Sequence, residues 1–264
     1  MDIILYNIGF SLLLLIFGYL CGSIPNGIWI GKLFFHKDPR DYGSGNSGGT
    51  NVGRVFGKKF GIIVVILDVC KVMFPIYMAW AFLTRVPMYN GLPVVPRIEV
   101  VITGNISEYA IQWPIYWLVA LGAYFGHCFP IFAKFRGGKN VAVFYGVAVS
   151  CCWAFGWSGL VAFFIIALIK KMVSLASIIS SWITVANSWI WAILILTKVV
   201  QGPMIWFVGY GPTVELNYVY AIVLTIGAIV LTIKHKANIE RIKNGTENKI
   251  KWFKKSDSNK LVDN

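Results

Sequence analysis

The chain has little charge and few metal-binding side chains: of 264 residues, 13% are charged, 11 are Asp or Glu, three are His and five are Cys. So little charge in a sequence that is 57% hydrophobic and 16% aromatic, with a mean hydropathy of +0.68, excludes a soluble domain and predicts a polytopic, all-α membrane protein. Cys21, Cys70, Cys128, Cys151 and Cys152 all fall in apolar runs and never at C-x-x-C spacing. Neither a zinc site nor a redox pair is expected, and the thiols read as small packing residues. There is no G-x-x-x-x-G-K-[ST] loop, and no strand precedes the glycine-rich stretch to support a dinucleotide fold. Met1 to Gly22 lacks a basic leader and carries Asp2, which predicts an uncleaved first span with the amino terminus outside.

What the chain does have is a surplus of 24 Lys and Arg over its acids, a net charge of +13. In a membrane protein such a surplus first reports topology, because basic residues gather on the cytoplasmic side, and a nucleic-acid partner is not needed. It also has one stretch that cannot be a span, Tyr42 to Arg54, in which only Tyr42 and Val52 are apolar. Glycine content alone would suit a flexible linker. Asn46, Thr50, Asn51 and Arg54 set among Gly43, Gly45, Gly48, Gly49 and Gly53 point instead to an anion cradle, in which backbone N–H groups and short polar side chains surround a phosphate.

Seven spans are expected. Residues 3–35 form the first, broken at Gly22, Pro25 and Gly27, and Phe60 to Leu83 forms the second. The second carries Asp68 and Lys71, three apart and so on one helix face, which reads equally as a structural ion pair or as a substrate contact. An outer loop at 85–111 leads to a third span, Trp113 to Phe132, which ends in a second polar block from Gly126-His127 to Lys139-Asn140. The run from Val141 to Ile169 would reach about 44 Å as one helix, beyond the ~30 Å hydrocarbon core. Two short helices in a hairpin, turning within Cys152 to Gly159, are therefore expected. Ser174 to Leu196 is the sixth span, an outer loop holds Gly202, Pro203, Gly211 and Pro212, and Val214 to Ile233 is the seventh. With this topology every Lys and Arg except Lys71, Arg85, Arg97 and Lys198 is cytoplasmic. Residues 1–250 read as one membrane-embedded domain and 251–264 as a basic, polar, disordered cytoplasmic tail.

The glycine-rich and basic blocks thus meet at one face, which predicts a cytoplasmic-interface site for a substrate with a phosphate head and an acyl tail. A transporter or channel for an organic phosphate is the alternative, and it predicts polar residues spaced along several spans toward the outside. His36 to Asp41 fits an H-x-x-x-x-D pattern used by another acyltransferase class, but at a basic interface where His36 can simply be solvated. His127 reads as a packed helix-end histidine or as a catalytic one.

Three blocks carry a family resemblance: Gly43-Ser44-Gly45-Asn46-x-Gly48-Gly49-Thr50-Asn51-Val52-x-Arg54, Gly126-His127-x-x-Pro130-x-Phe132-x-x-Phe135-x-Gly137-Gly138-Lys139, and His235-x-x-Asn238-Ile239-x-Arg241-x-x-x-Gly245-Thr246-Glu247. With Gly22-Ser23-Ile24-Pro25 and Ser174-Leu175-Ala176-Ser177, they resemble, in order and over nearly the whole chain, the acyl-phosphate-dependent glycerol-3-phosphate acyltransferases of bacterial membranes, the PlsY family. The resemblance implies seven membrane helices and acyl transfer from acyl phosphate to the 1-hydroxyl of glycerol 3-phosphate, giving lysophosphatidic acid and phosphate. It implies no cofactor, no metal, and neither coenzyme A nor acyl carrier protein as direct donor. No obligate protein partner is expected beyond the substrates and membrane lipid. By the same resemblance Ser44, Gly45, Asn46, Thr50, Asn51 and Arg54 hold phosphate, Lys139 is the lysine of the second block, Ser174 or Ser177 is the later serine, and His235 and Asn238 contact glycerol phosphate. Gly43, Gly48, Gly137, Gly138, Arg241, Gly245, Thr246 and Glu247 come with the blocks as candidate binding positions. Asn140, Gly49 and Val72 depart from the family pattern, and Asn140 puts a side chain where the family usually has glycine.

Overall fold

The computed structural model describes residues 3–85, 97–100, 111–197, 199 and 218–250. The first apolar run is two helices, α1 (Ile3–Gly22) and α2 (Asn26–Phe35), parted at Pro25, whose ring cannot continue the helical hydrogen-bond ladder. A short helix α3 (Gly49–Val55) precedes the long α4 (Lys58–Arg85). Next come a two-stranded antiparallel ribbon, β1 (Arg97–Val100) with β2 (Ile111–Pro114), and α5 (Leu118–Cys128). Then follow α6 (Val141–Cys151), α7 (Trp153–Lys170), α8 (Val173–Leu196), α9 (Val219–Lys234) and the polar α10 (Lys236–Lys243).

Among the described residues, four helical segments are long and apolar enough to cross a membrane, 8–35, 58–82, 153–170 and 173–194, or five if α9 and α10, bent by 60°, count as one. The segment 118–133 and α6 are shorter apolar elements. Their outward surfaces are greasy: Leu12, Leu13, Ile62, Phe74, Val161 and Leu168 are all exposed, as lipid-facing residues are. The buried core of the bundle includes Trp117, Tyr124, Phe144, Phe155 and Tyr220. Glycines let α1 and α5 meet backbone to backbone, since a Cβ at Gly18 would lie 2.1 Å from the Val119 carbonyl oxygen and one at Gly122 2.1 Å from that of Leu15. This small-residue contact is how helices associate where no hydrophobic effect drives them together.

Several expectations shift. The ribbon takes Trp113 into a strand, so the helix of the expected third span, α5, begins at Leu118, and among the described residues the regular structure is helical apart from this ribbon. The hairpin at 141–170 is present, but its turn is the single extended residue Cys152, and the tryptophan-rich run after it is already helix. The two arms are antiparallel, with Tyr145 Oη 3.4 Å from the Gly159 carbonyl oxygen. The cradle stretch is loop only to Gly48, and its second half is α3. The loop with Gly202, Pro203, Gly211 and Pro212, Lys198, the start of the seventh span at 214–217, most of the 85–111 loop and the tail 251–264 lie outside the described residues.

Candidate active site

The glycine loop is shaped by two residues in the left-handed region, Gly43 at φ 63° and Gly45 at φ 67°, where side chains are disfavoured. One carboxamide holds this loop. Asn51 donates from Nδ2 to the carbonyls of Pro39 (2.8 Å), Tyr42 (3.1 Å) and Asn46 (2.8 Å), and its Oδ1 accepts from Ser44 N (2.7 Å) and Ser44 Oγ (3.0 Å). Asn46 Oδ1 accepts from Gly48 N, which tightens the entry to α3. Asn51 is thus the organiser of the cradle. Arg54 extends from α3 exposed and makes no hydrogen bond or ion pair among the described residues.

Arg40, which the sequence marked only as a cytoplasmic charge, fastens this loop to the next. Its guanidinium is bidentate on Asp38 (Nη2–Oδ2 2.7 Å, Nε–Oδ1 3.0 Å) and donates from Nη1 to the carbonyls of Ala133 and Arg136. Burial would raise the Asp38 carboxyl, but the Arg40 hydrogen bonds and charge outweigh it and hold it below the usual range. His36 and Asp41 are exposed and line no part of the cavity described below, so the H-x-x-x-x-D match has no site around it.

Three further elements close the site. Lys139, at the end of the second polar block, donates to Asn238 Oδ1 (2.7 Å). Asn238 Nδ2 in turn donates to Ser174 Oγ (2.7 Å) and Glu247 Oε1 (2.8 Å). Ser174 donates to Glu247 Oε1 at 2.5 Å, and Arg241 Nε donates to Glu247 Oε2 at 2.8 Å. Gly245, at φ 70°, and Thr246, whose N–H bonds the Arg241 carbonyl, turn the chain after α10 so that Glu247 comes back onto this group. Burial would raise the Glu247 carboxyl, yet the bonds from Ser174, Asn238 and Arg241 prevail and lower it. Burial, aided by the nearby Arg241 charge, pushes Lys139 down to about 8. Burial likewise pushes His235, just beyond α9, down to about 4. Ser177 donates to the Val173 carbonyl of its own helix, so of the two candidate serines Ser174 is the one tied into the polar group.

A cavity of about 370 Å³ joins these pieces. Ser44, Asn46, Gly48, Thr50, Asn51, Arg54, Asp68, His127, Lys139, Ser174, Ser177, His235 and Asn238 all line it. Its other part is apolar, with Val65 and Val69 of α4, Val141, Ala142, Tyr145 and Val149 of α6, and Leu160, Phe163 and Phe164 of α7. Gly146 of α6 packs on Val69 and Val72 of α4, and Gly156 of α7 packs on Val149 of α6. Helix α6 is thus the floor between α4 and α7. Val65 and Phe164, on the two flanking helices, are 41% and 54% exposed while lining the cavity, so this part is a slot open toward the lipid-facing side. The sequence did not flag this slot, because its residues look like any other span; their i, i+4 recurrence at Val141, Tyr145 and Val149 is the one signal it left.

Gly43, Gly45, Gly137, Gly138, Lys71, Arg241, Gly245, Thr246 and Glu247 stand outside the lining and support it. Gly137 and Gly138 are small because of His127: a Cβ at Gly137 would lie 2.1 Å from its carbonyl oxygen, and one at Gly138 2.0 Å from Nε2. Asp68 and Lys71 form a buried pair (2.9 Å), to which Asn26 donates (3.0 Å to Asp68 Oδ1). Lys71 also donates to the Ile24 carbonyl (2.9 Å), which makes the break between α1 and α2 part of the site wall. The polar residues do not all gather at one face, since Ser180, Ser181, Thr184 and Ser188 are buried along α8. Each donates to a carbonyl of its own helix, so this stripe serves packing and offers no path across the bundle.

Residues 12–245 match the family model described as glycerol-3-phosphate acyltransferase. Among curated proteins, the glycerol-3-phosphate acyltransferase of Enterococcus faecalis is 37% identical over 244 residues, covering 91% of this chain and 92% of that protein. The one of Staphylococcus aureus is 34% identical over 246 residues, covering 92% and 98%. Among solved structures, the glycerol 3-phosphate form of PlsY, an integral membrane glycerol 3-phosphate acyltransferase, superposes with a TM-score of 0.66 at 26% identity, over 91% of this chain and 96% of that one. Its lysophosphatidic acid form gives 0.64.

Proposed function

Since the chain belongs to the glycerol-3-phosphate acyltransferase family, we propose that it acylates the 1-hydroxyl of glycerol 3-phosphate with acyl phosphate as the direct donor, at the cytoplasmic face of the membrane. Its glycerol-3-phosphate acyltransferase activity follows from that membership; the donor, the sidedness and the residue roles are our reading. The observation that carries it is the shape of this cavity, cationic and hydroxyl-lined at one end and an apolar slot at the other. A fatty acyl phosphate has the same two ends.

Two anionic substrates repel each other, and Arg54 and Lys139 offset that repulsion while orienting both phosphates. Ser44 and the loop around it contribute hydrogen bonds at the donor phosphate. Ser174 and Asn238 hold Lys139 at the acceptor side. His235 Nδ1 lies 2.8 Å from the Leu231 carbonyl and so carries the proton, which leaves Nε2 with a lone pair that accepts a hydrogen bond from a glycerol hydroxyl. The hydroxyl oxygen attacks the acyl carbonyl carbon, the bond from that carbon to the phosphate oxygen breaks, and phosphate departs with the electron pair.

The departing phosphate itself takes the hydroxyl proton. The anion that departs is inorganic phosphate, a stronger base than a histidine pushed down to about 4. Among the described residues, no carboxylate that the sequence offered as a base is free for the role. Asp38 is locked to Arg40, Asp68 to Lys71, Glu247 is held in its low-pKa network, and Asp41 lies outside the cavity. Replacing Asp38, Asp41, Asp68 and Glu247 by their amides and finding one that abolishes turnover while binding persists would overturn this step.

The same reading places seven spans in the membrane with the amino terminus outside, residues 1–250 as one embedded domain, and 251–264 as a cytoplasmic tail, with no cofactor or obligate protein partner. Protease accessibility of tags at the two termini in sealed vesicles tests the sidedness. The deciding experiment is phosphate release by the purified protein in lipid, supplied with palmitoyl phosphate and glycerol 3-phosphate, with acyl-CoA as the control donor. Release that needs both substrates, yields lysophosphatidic acid and fails with acyl-CoA is the expected result. Turnover with acyl-CoA instead would remove the donor assignment.

A further inference from the structure

The two histidines that line the cavity are locked in opposite tautomers, and we propose that His127 is a hydrogen-bond donor to an anionic oxygen of the bound substrates, with Lys71 as the positioning residue that sets its direction. The proposal rests on the acyl-transfer reading above for the identity of that oxygen, but not for the tautomer.

The argument is a count of protons. An ammonium group has three protons and no lone pair. Lys71 Nζ lies 2.9 Å from Asp68 Oδ1, 2.9 Å from the Ile24 carbonyl oxygen and 3.0 Å from His127 Nδ1, so every proton has an acceptor and Nδ1 must be one of them. A doubly protonated ring would point an N–H at the ammonium. The remaining ring proton therefore sits on Nε2. That nitrogen is packed on Gly138, next to Lys139, in a residue that lines the cavity. His235 is the opposite case, its Nδ1–H directed to the Leu231 carbonyl and its Nε2 unprotonated. One cavity thus holds an imidazole that can only donate and another that can only accept, the first kept so by a charged side chain and the second by a backbone carbonyl. Asp68 Oδ1 takes one of the three ammonium protons, and the Asn26 amide donates to the same oxygen and fixes the carboxylate. The buried ion pair and its neighbours are in this sense the support of the His127 donor.

With only three histidines in the chain, ring-nitrogen NMR of histidine-labelled full-length protein in lipid bilayers reads the tautomers directly, His127→Gln supplying the assignment. The expected result is Nε2–H at His127 and Nδ1–H at His235 in the substrate-free protein, with the His127 Nε2–H signal moving on addition of glycerol 3-phosphate or inorganic phosphate. In turnover, His127→Leu lowers kcat by about 100-fold, the usual effect of losing one preorganised donor, while His127→Gln, whose side-chain amide keeps a donor, recovers to within about tenfold of the parent. Replacing the pair together, Asp68→Leu with Lys71→Met, frees Nδ1 and gives both His127 tautomers, a change that a purely structural ion pair would not produce. An Nδ1–H signal at His127, no response to either phosphate, or a folded His127→Leu protein with unchanged kcat overturns the proposal. The ring signals are read without any acyl donor, so a failure of acyl phosphate as substrate leaves this test standing, and should neither His127 variant fold, His36→Gln and His235→Gln assign the remaining signal of the three by elimination and it still decides the tautomer.

Discussion

Two walls of the same cavity treat charge in opposite ways. On the helical side, Asp68, Lys71, Asn26 and His127 are buried between the α1–α2 break, α4 and α5, and each Lys71 proton has a protein acceptor. On the loop side, Arg54 is exposed and without an ion-pair partner among the described residues, and Lys139 meets only the neutral oxygen of Asn238. The difference separates architecture from chemistry. A charge inside a span is tolerated when neighbours neutralise it, whereas a charge left uncompensated at the rim is available to an anion that arrives later.

Breaking the helical wall is the most damaging change. Asp68→Asn leaves Lys71 buried without its counter-ion and is expected to lower stability by about 3–5 kcal/mol, while Asp68→Leu with Lys71→Met together recovers most of it. Thermal unfolding in a fixed detergent measures both, and an unaffected Asp68→Asn protein would erase the contrast.

Breaking the loop wall leaves the fold standing. Arg54→Ala is expected to lower kcat/KM by about 10²–10³-fold with unchanged thermal stability, the loss typical of a group aimed at developing negative charge. A parallel loss of stability would mean that Arg54 belongs with the architecture after all.

Acidity sharpens the comparison further. Lys139 titrates at about 8 because burial disfavours its charged form, so it is an ammonium below that pH and loses its proton above it. The profile of kcat/KM, which reports the free enzyme, should fall by about tenfold per unit above that pH, and Lys139→Arg should move the fall out of range even where its absolute rate is lower.

The smallest effect is expected at Asn140, which is fully buried at φ 67°, donates to the Gly227 carbonyl at 3.3 Å and has an Oδ1 without a partner. Asn140→Gly removes a weak bond and an unpaired oxygen and frees a left-handed residue, changes that roughly cancel to within about 1 kcal/mol. Asn140→Val, which cannot adopt that conformation without strain, separates the backbone effect from the side-chain effect in the same unfolding assay.

What could be read in advance follows the same division. Loop-wall residues stand out against an apolar sequence, so Ser44, Arg54, Lys139, Ser174, His235 and Asn238 were legible from their motifs, and the cavity gathers them. The break at Pro25 and the hairpin at 141–170 were legible from proline and from length. Functions that depend on orientation were not. Nothing in the spacing says that Asn51 turns its amide into its own loop, that Gly138 is small because His127 lies against it, or that Arg40 ties two loops together. The ribbon escaped because Ile111 to Pro114 is too short and too apolar to be told from the start of a helix. Tyr145 and Phe163 escaped because membrane-facing and cavity-facing apolar residues share one vocabulary.

The slot between α4 and α7 has a consequence for how this enzyme meets its donor. A site whose apolar arm opens sideways draws on a two-dimensional reservoir, so the quantity that saturates it is the mole fraction of acyl donor in the lipid surface and not its bulk molarity. Diluting the donor with inert lipid at constant total amount should slow turnover as effectively as withholding it, while glycerol 3-phosphate, arriving from water, continues to obey ordinary molar concentration.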